Sequence, residues 1–242
     1  LPTSKISAET QDPKYLILFG LPKVGKTTIL ATLENNLILD FENGSTYIEA
    51  LKVKINTLKE LSEVCKAIKE AGKPYKFITI DTVTAVEELA KPMAIRMYQN
   101  SPMYSERYAN ITEPSQLPNG SGYAFWRGAI EKIIDMVADC APNLILCGHV
   151  KDASLSENTS GSLKTLDFTG KVSRILAAKS DAIGFVHRDE DSNLCIQFGT
   201  DGEVLTGARP KHLANKDIVV AERNPDGTFT PHWDRIYPSE SN

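Results

Sequence analysis

The stretch that most limits what this chain can fold into is Gly20-Leu21-Pro22-Lys23-Val24-Gly25-Lys26-Thr27. The run before it, Tyr15-Leu16-Ile17-Leu18-Phe19, is apolar without alternation, the pattern of a strand buried on both faces of a parallel sheet. Residues 26–33 then read as a helix. A G-x-x-x-x-G-K-[ST] match arises by chance in a chain of 242 residues roughly once in 100. A strand before it and a helix after it remove most of that chance. Gly20 and Gly25 let the backbone wrap so that successive N–H groups converge on phosphate oxygens, and the helix N-terminus adds its dipole. Lys26 is then expected on the β- and γ-phosphates, Thr27 on Mg²⁺ and Thr28 on the α-phosphate. The bland alternative is a glycine-rich turn with a solvated lysine. ATP and Mg²⁺ are the expected ligands.

Strands and helices alternate through the rest of the chain. Residues 37–41, Phe77–Asp81 and 143–147 read as further buried strands, the last ending near His149. Helices are expected at 58–71, 83–97, 125–138 and 171–178. The first carries Leu61, Val64, Cys65 and Ile68 at helical spacing and is stopped by Gly72 and Pro74. Shorter strands follow at 182–187 and 194–198. Two polar stretches, 100–122 and 151–169, read as loops of a length that is usually functional or mobile. The pattern predicts an α/β fold, a doubly wound and mainly parallel sheet with short antiparallel strands toward the C-terminus. It predicts a single domain over 14–236, a lead-in at 1–13 and a tail at 237–242.

Such sheets seat ligands at the carboxyl ends of their strands, where Gly20, Glu42, Asp81 and His149 all fall. Asp81 either holds the magnesium shell or caps the helix after it. Thr82 follows Asp81, where ATPases of the AAA+ type place a water-activating Glu, so the base must come from elsewhere. Glu42, in Leu39-Asp40-Phe41-Glu42-Asn43-Gly44, is the best candidate for orienting and deprotonating water. Asp40 competes on the same side but reaches less far, and a merely solvated carboxylate is the plain alternative. His149 either meets the γ-phosphate or is an ordinary structural donor.

Composition limits the partners. The net charge is −4 and the pI about 5.7, so any nucleic acid must be met by local loops or by a groove shared among subunits. Cys65, Cys140, Cys147 and Cys195 have no zinc-type spacing and read as buried thiols of a reducing cytosol. No apolar run is long enough to span a bilayer and the N-terminus has no signal-peptide core. The start at Leu1 reads as processed or trimmed. A cytoplasmic location with no membrane partner is expected, the host cytoplasm if the chain is phage-encoded.

With Gly20–Thr27, Asp40-Phe41-Glu42, Asp81-Thr82 and His149 in this order, residues 14–182 resemble the RecA/RadA recombinase core. His149 stands where the bacterial recombinases carry Gln. That, with the compact length, looks more like the small phage-encoded RecA-core proteins of the single-strand-annealing type. The resemblance implies ATP-dependent binding of single-stranded DNA by a ring or filament, with a single-strand-binding protein as a further candidate partner. It turns the 100–122 and 151–169 loops toward the strand. Lys151 and Lys164 are then candidate phosphate contacts or merely solvated lysines. Tyr104, Tyr108, Tyr123 and Phe125 are stacking surfaces or core. Arg209 and Lys211, in Arg209-Pro210-Lys211-His212, would reach a neighbour's γ-phosphate or sit in a solvated turn. Tyr47 is a candidate base contact. Two rival readings share the core: a small-molecule kinase, for which Arg107 stands alone where a lid cluster is needed, and a nucleotide-gated loader or assembly module.

Overall fold

The computed structural model describes residues 12–156, 159–169, 171–200 and 202–238, and the side chains of 153–161 lie outside that description. Most of the 1–13 lead-in and residues 239–242 of the tail fall outside the described residues as well. The apolar runs become strands. β1 (Tyr15–Gly20), β2 (Asn36–Asp40), β3 (Lys52–Lys54), β4 (Phe77–Asp81), the first half of β5 (Asn143–Ser156) and β7 (Ala182–Arg188) run parallel in the order β7-β1-β5-β4-β2-β3. β5 alone therefore separates the strand ending in Gly20 from the strand ending in Asp81.

Strand alternation splits the core into two layers. Leu16 and Leu18 face α1 (Lys26–Ala31) and the C-terminal residues Trp233, Ile236 and Tyr237. Ile17 and Phe19 face the opposite layer, with α2 (Leu58–Glu70), α3 (Ala85–Gln99), α4 (Ser121–Ala138) and α5 (Val172–Lys179). Each such fully buried side chain stabilises the fold by about 1.5–3 kcal/mol. Tyr237 packs edge-on to Phe77 with ring centroids 4.8 Å apart, so packed chain reaches past 236. Thr57 caps α2 by accepting the Glu60 N–H at 3.1 Å, and Glu60 reaches back to the Asn56 N–H at 2.8 Å.

The 151–169 stretch is not a loop. β5 continues through Ser156 and pairs antiparallel with β6 (Thr159–Leu166), making a hairpin that leaves the sheet directly after His149. Serine and threonine suggested a loop, but threonine is at home in strands, and Leu163 and Thr165, two residues apart on β6, turn to one face. Gly148 lets the hairpin return, since a Cβ there would lie 2.3 Å from Leu166 Cδ1. Lys151 is consequently a strand residue whose ammonium is held by the Phe168 carbonyl and by Asp167 at 3.2 Å. Lys164 is exposed on β6 with its ammonium 5.9 Å from the Phe185 ring.

The 100–122 stretch contains three short 3₁₀ turns, and α4 starts at Ser121, ahead of the expected 125. Tyr104, Tyr108 and Phe125 gather around the buried Tyr98 ring. They belong to local packing, whereas Tyr123 is 54% exposed. Beyond β8 (Leu194–Gln197), the short β9 (Gly207–Ala208) pairs with β7. The antiparallel edge β7-β8-β10-β11 adds two strands not anticipated, β10 (Asp217–Arg223) and β11 (Phe229–Pro231).

Glu87 on α3 ties down the hairpin's return. It accepts the Thr169 N–H at 2.7 Å and lies 3.3 Å from the Thr169 hydroxyl. Burial raises its carboxyl above the usual range, against the lowering effect of Thr169 and Lys151. A raised carboxyl binds its proton more tightly in the folded chain than in the unfolded one. Its contribution to stability therefore falls as pH rises from the ordinary carboxylate range through the folded value. Glu87→Gln removes this titration and leaves an oxygen for the Thr169 N–H. Its melting temperature is expected to gain on wild type as pH rises through that window. A pH-independent offset between the two melting curves would contradict the assignment.

Candidate active site

Register brings the strand ends together. Gly20 pairs with His149, Asp81 with Cys147, and Asp40 with Asp81. The loop after β1 needs its glycines: a Cβ on Gly20 would sit 2.5 Å from the Val186 carbonyl oxygen, and Gly25 has φ +118°. Lys26 is 6% exposed, and its ammonium donates to the Gly20 and Leu21 carbonyls at 3.0 and 2.8 Å. Burial lowers its pKa, opposed by Cys147, Asp81 and Glu42.

Thr27 Oγ1 donates to Asp81 Oδ2 at 2.6 Å, so the two oxygens expected to share a magnesium ion already share one hydrogen bond. Asp81 is 5% exposed, and burial raises its carboxyl despite the Thr27 hydroxyl. No side chain caps α3, so the capping alternative for Asp81 is not what this structure adopts.

Asp40 and Glu42 have different jobs. The Asp40 carboxylate turns under the following loop, accepting the N–H groups of Glu42, Gly44 and Ser45 at 3.1, 3.2 and 3.0 Å and the Ser45 hydroxyl. Burial works to raise its pKa, but the Ser45 hydroxyl and the backbone donors outweigh it and the net shift is downward. Lys52 braces the same loop through the Ser45 and Ile48 carbonyls. Asp40 is therefore a scaffold and Glu42 is what it presents. The Glu42 carboxylate accepts from the Thr82 hydroxyl and lies 3.2 Å from His149 Nε2. The absence of Glu after Asp81 thus has a structural counterpart, because Thr82 holds the carboxylate that comes from β2. His149 Nδ1 is buried with no hydrogen-bond partner among the described residues.

Pro22, Lys23, Lys26, Thr28, Glu42 and His149 are among the residues lining one cavity of about 490 Å³, with Thr27 and Asp81 at its floor. The donor set fits a magnesium nucleotide. Backbone donors and an ammonium suit phosphates, and a hydroxyl beside a carboxylate suits a hard cation.

A smaller apolar cleft of about 200 Å³ opens on the other flank of α1, lined by Gly25, Thr28, Arg188, Leu194, Phe229 and Pro231. The Arg188 guanidinium lies 5.0 Å from the Phe229 ring centre. Sequence reasoning missed these residues because they stand some 160–205 positions from the P-loop. The turn signal Pro225-Asp226-Gly227 between two alternating runs could have exposed the β10–β11 hairpin. Tyr47, a candidate base contact on sequence grounds, is 98% exposed on the loop after Glu42 and lines neither cavity. Arg209 and Lys211 lie at the amino ends of the strands, the far end of the sheet from Gly20. Ala208 pairs with Ala182, and Arg209 is bound to Asp181 at 3.3 Å and to the Ala178 carbonyl at 2.8 Å. Within one chain these two cations do not join the site.

Fold and site together define a P-loop nucleotide-binding protein built on a doubly wound, mainly parallel α/β sheet. A family model described as an AAA domain matches residues 12–219, and the chain belongs to that family. No curated protein matches it. Among solved structures, KaiC-like protein PH0186 from the hyperthermophilic archaeon Pyrococcus horikoshii OT3 is similar over 90% of this chain and 89% of its own. The identity is 12% and the TM-score 0.46. Among the described residues no helix is long and apolar enough to cross a membrane.

Proposed function

We propose that this chain hydrolyses ATP and couples the reaction to binding single-stranded DNA as an oligomer, in the manner of recombination and annealing proteins. The observation that carries the reading is the Glu42–Thr82 and Glu42–His149 contacts at the P-loop, with His149 on the strand that becomes the β5–β6 hairpin. On nucleotide binding, Lys26 exchanges the Gly20 and Leu21 carbonyls for β- and γ-phosphate oxygens. Thr27 and Asp81 would hold Mg²⁺, which supplies charge neutralisation on those phosphates. Glu42 takes a proton from the attacking water as its oxygen bonds to the γ-phosphorus and the bridging oxygen leaves with ADP. The His149 carbonyl accepts the Asp167 N–H at 2.8 Å, so a shift of His149 on loss of the γ-phosphate is carried to the base of the hairpin.

Support for the DNA half is chemical. Beside the hairpin's return, Tyr123, Trp126, Arg127 and Lys171 line a cleft of about 250 Å³. Tyr123 is exposed there while Trp126 is half-buried with its indole bonded to the Glu87 carbonyl, and an exposed aromatic next to cations is what sequence-tolerant binding of single strands uses. A chain of net charge −4 meets DNA through such local surfaces or through a groove shared among copies, and Arg209 or Lys211 of a neighbour is the candidate cation at the γ-phosphate in trans. The test is fluorescence anisotropy of a labelled single-stranded oligonucleotide with and without a non-hydrolysable ATP analogue. Binding is expected only with the analogue, and Tyr123→Ala is expected to weaken it by about tenfold. Anisotropy that never responds to the analogue would remove the DNA half and leave the loader or kinase readings.

The Arg188–Phe229 cleft is the proposed seat of the base. Phe229→Ala is expected to weaken ATP binding by about three- to tenfold, the worth of a stacked aromatic contact, with turnover at saturating ATP unchanged. A fall in saturated turnover with affinity intact, read from a substrate titration, would place the base elsewhere.

A further inference from the structure

Away from the nucleotide cavity, three metal-ligating side chains meet on the antiparallel edge of the sheet. His187 on β7, Cys195 on β8 and Asp217 on β10 each offer one ligand atom, and these atoms lie within 4.8 Å of one another. Strand register explains the meeting. His187 pairs directly with Cys195, and Cys195 with Val219. Asp217 stands two residues from Val219, so alternation turns all three ligands to one face. Their chain neighbours Arg188 and Leu194 turn to the other face and line the apolar cleft. No short-range spacing marks this set, because it is assembled from three strands.

We propose that His187, Cys195 and Asp217 form a zinc-binding site, separate from the magnesium position at Thr27 and Asp81. Imidazole, thiolate and carboxylate are the ligand types Zn²⁺ takes, and a thiolate is not a ligand that Mg²⁺ or Ca²⁺ selects. His187 Nε2 is 2.9 and 3.0 Å from the two Asp217 oxygens. That is close to the separation of about 3.3 Å between nitrogen and oxygen ligands sharing one tetrahedral ion. Cys195 is 3% exposed and forms the floor of the site. The half-exposed Asp217 leaves a fourth position open to water. Asp189 Oδ2, itself fixed by Asn193 at 2.9 Å, lies 3.8 Å from the Cys195 sulfur as an outer carboxylate. On binding, the Cys195 S–H bond breaks, a sulfur–zinc bond forms and the proton passes to solvent. His187 Nε2 gives up the hydrogen it shares with Asp217, leaving the ring neutral with its N–H at Nδ1, and forms a nitrogen–zinc bond. No electron is transferred. The ion would clamp β7, β8 and β10 together at this edge of the sheet.

The test uses the full chain, stripped of metal and kept reduced, titrated with Zn²⁺ alone by calorimetry and with Co²⁺ by absorption. One equivalent of Zn²⁺ per chain is expected, with a rise in melting temperature and a thiolate-to-cobalt band in the Co²⁺ form. Cys195→Ser is expected to lose the band, and Asp217→Asn, at an exposed position, to weaken Zn²⁺ binding by about 10- to 100-fold. Asp81→Asn should bind Zn²⁺ as wild type does. Wild type that takes up no equivalent of Zn²⁺, or a Cys195→Ser chain that binds as tightly as wild type, overturns the site. Loss of the equivalent in Asp81→Asn would instead assign it to the P-loop, which also overturns the proposal.

Discussion

Glu42→Gln is expected to bind ATP with nearly wild-type affinity while phosphate release falls by about 10²- to 10⁴-fold, the usual worth of a positioned general base. The separation of the two effects follows from geometry. Glu42 contacts Thr82 and His149, and neither the P-loop backbone nor Lys26 depends on it for position. An amide keeps the size and an acceptor for the Thr82 hydroxyl but cannot take a proton from water. Asp40→Asn should behave differently, because the Asp40 carboxylate organises the loop from Glu42 to Ser45. It reports on loop order, and Glu42→Gln reports on chemistry. Filter binding beside single-turnover phosphate release makes the distinction. Normal turnover in Glu42→Gln would remove the base from β2 and leave nucleotide binding untouched.

Lys26→Ala is expected to lose about 10²- to 10³-fold in ATP affinity. It forfeits charge-assisted bonds to phosphate, each worth roughly 1.5–3 kcal/mol where tenfold is 1.4 kcal/mol. Its effect on the nucleotide-free protein has the opposite tendency. Lys26 is a buried ammonium whose pKa burial lowers, solvated only in part by the two carbonyls to which it donates. Removing it should leave the melting temperature unchanged or higher while abolishing the rise that ATP and Mg²⁺ produce in wild type. If the melting temperature collapsed without nucleotide, lost ATP binding would be a consequence of misfolding, and the functional assignment of Lys26 would rest on nothing.

The parts of this site that were legible beforehand share one property: they lie at the ends of uniformly apolar runs. Phe77–Asp81 is a strand with the bounds its composition suggests, and Glu42 and His149 follow the same rule at β2 and β5. A buried parallel strand has no polar face, so the first polar residues after it mark the carboxyl edge. Legibility failed where a strand is half exposed. Residues 150–166 are polar at most positions, and their Ser and Thr content resembles a loop until the hairpin partner is known. It failed again where function depends on long-range register. Arg188, Leu194, Phe229 and Pro231 meet beside Gly25 only because β11 returns along β10, which pairs with β8. Asp40 marks a third limit of sequence reading. Alternation turns its side chain to the same side as that of Glu42, but only the loop's N–H groups reveal that its carboxylate turns back to satisfy them.

Coupling between ATP turnover and single-stranded DNA is read directly from phosphate release. Steady-state phosphate release by the wild-type chain with Mg²⁺ is compared with no DNA, with single-stranded DNA and with duplex DNA, using Lys26→Ala to set the background. Low release alone, clear stimulation by the single strand and little by the duplex are expected. Release that is above background but identical in all three conditions would contradict the coupling and leave only a nucleotide hydrolase.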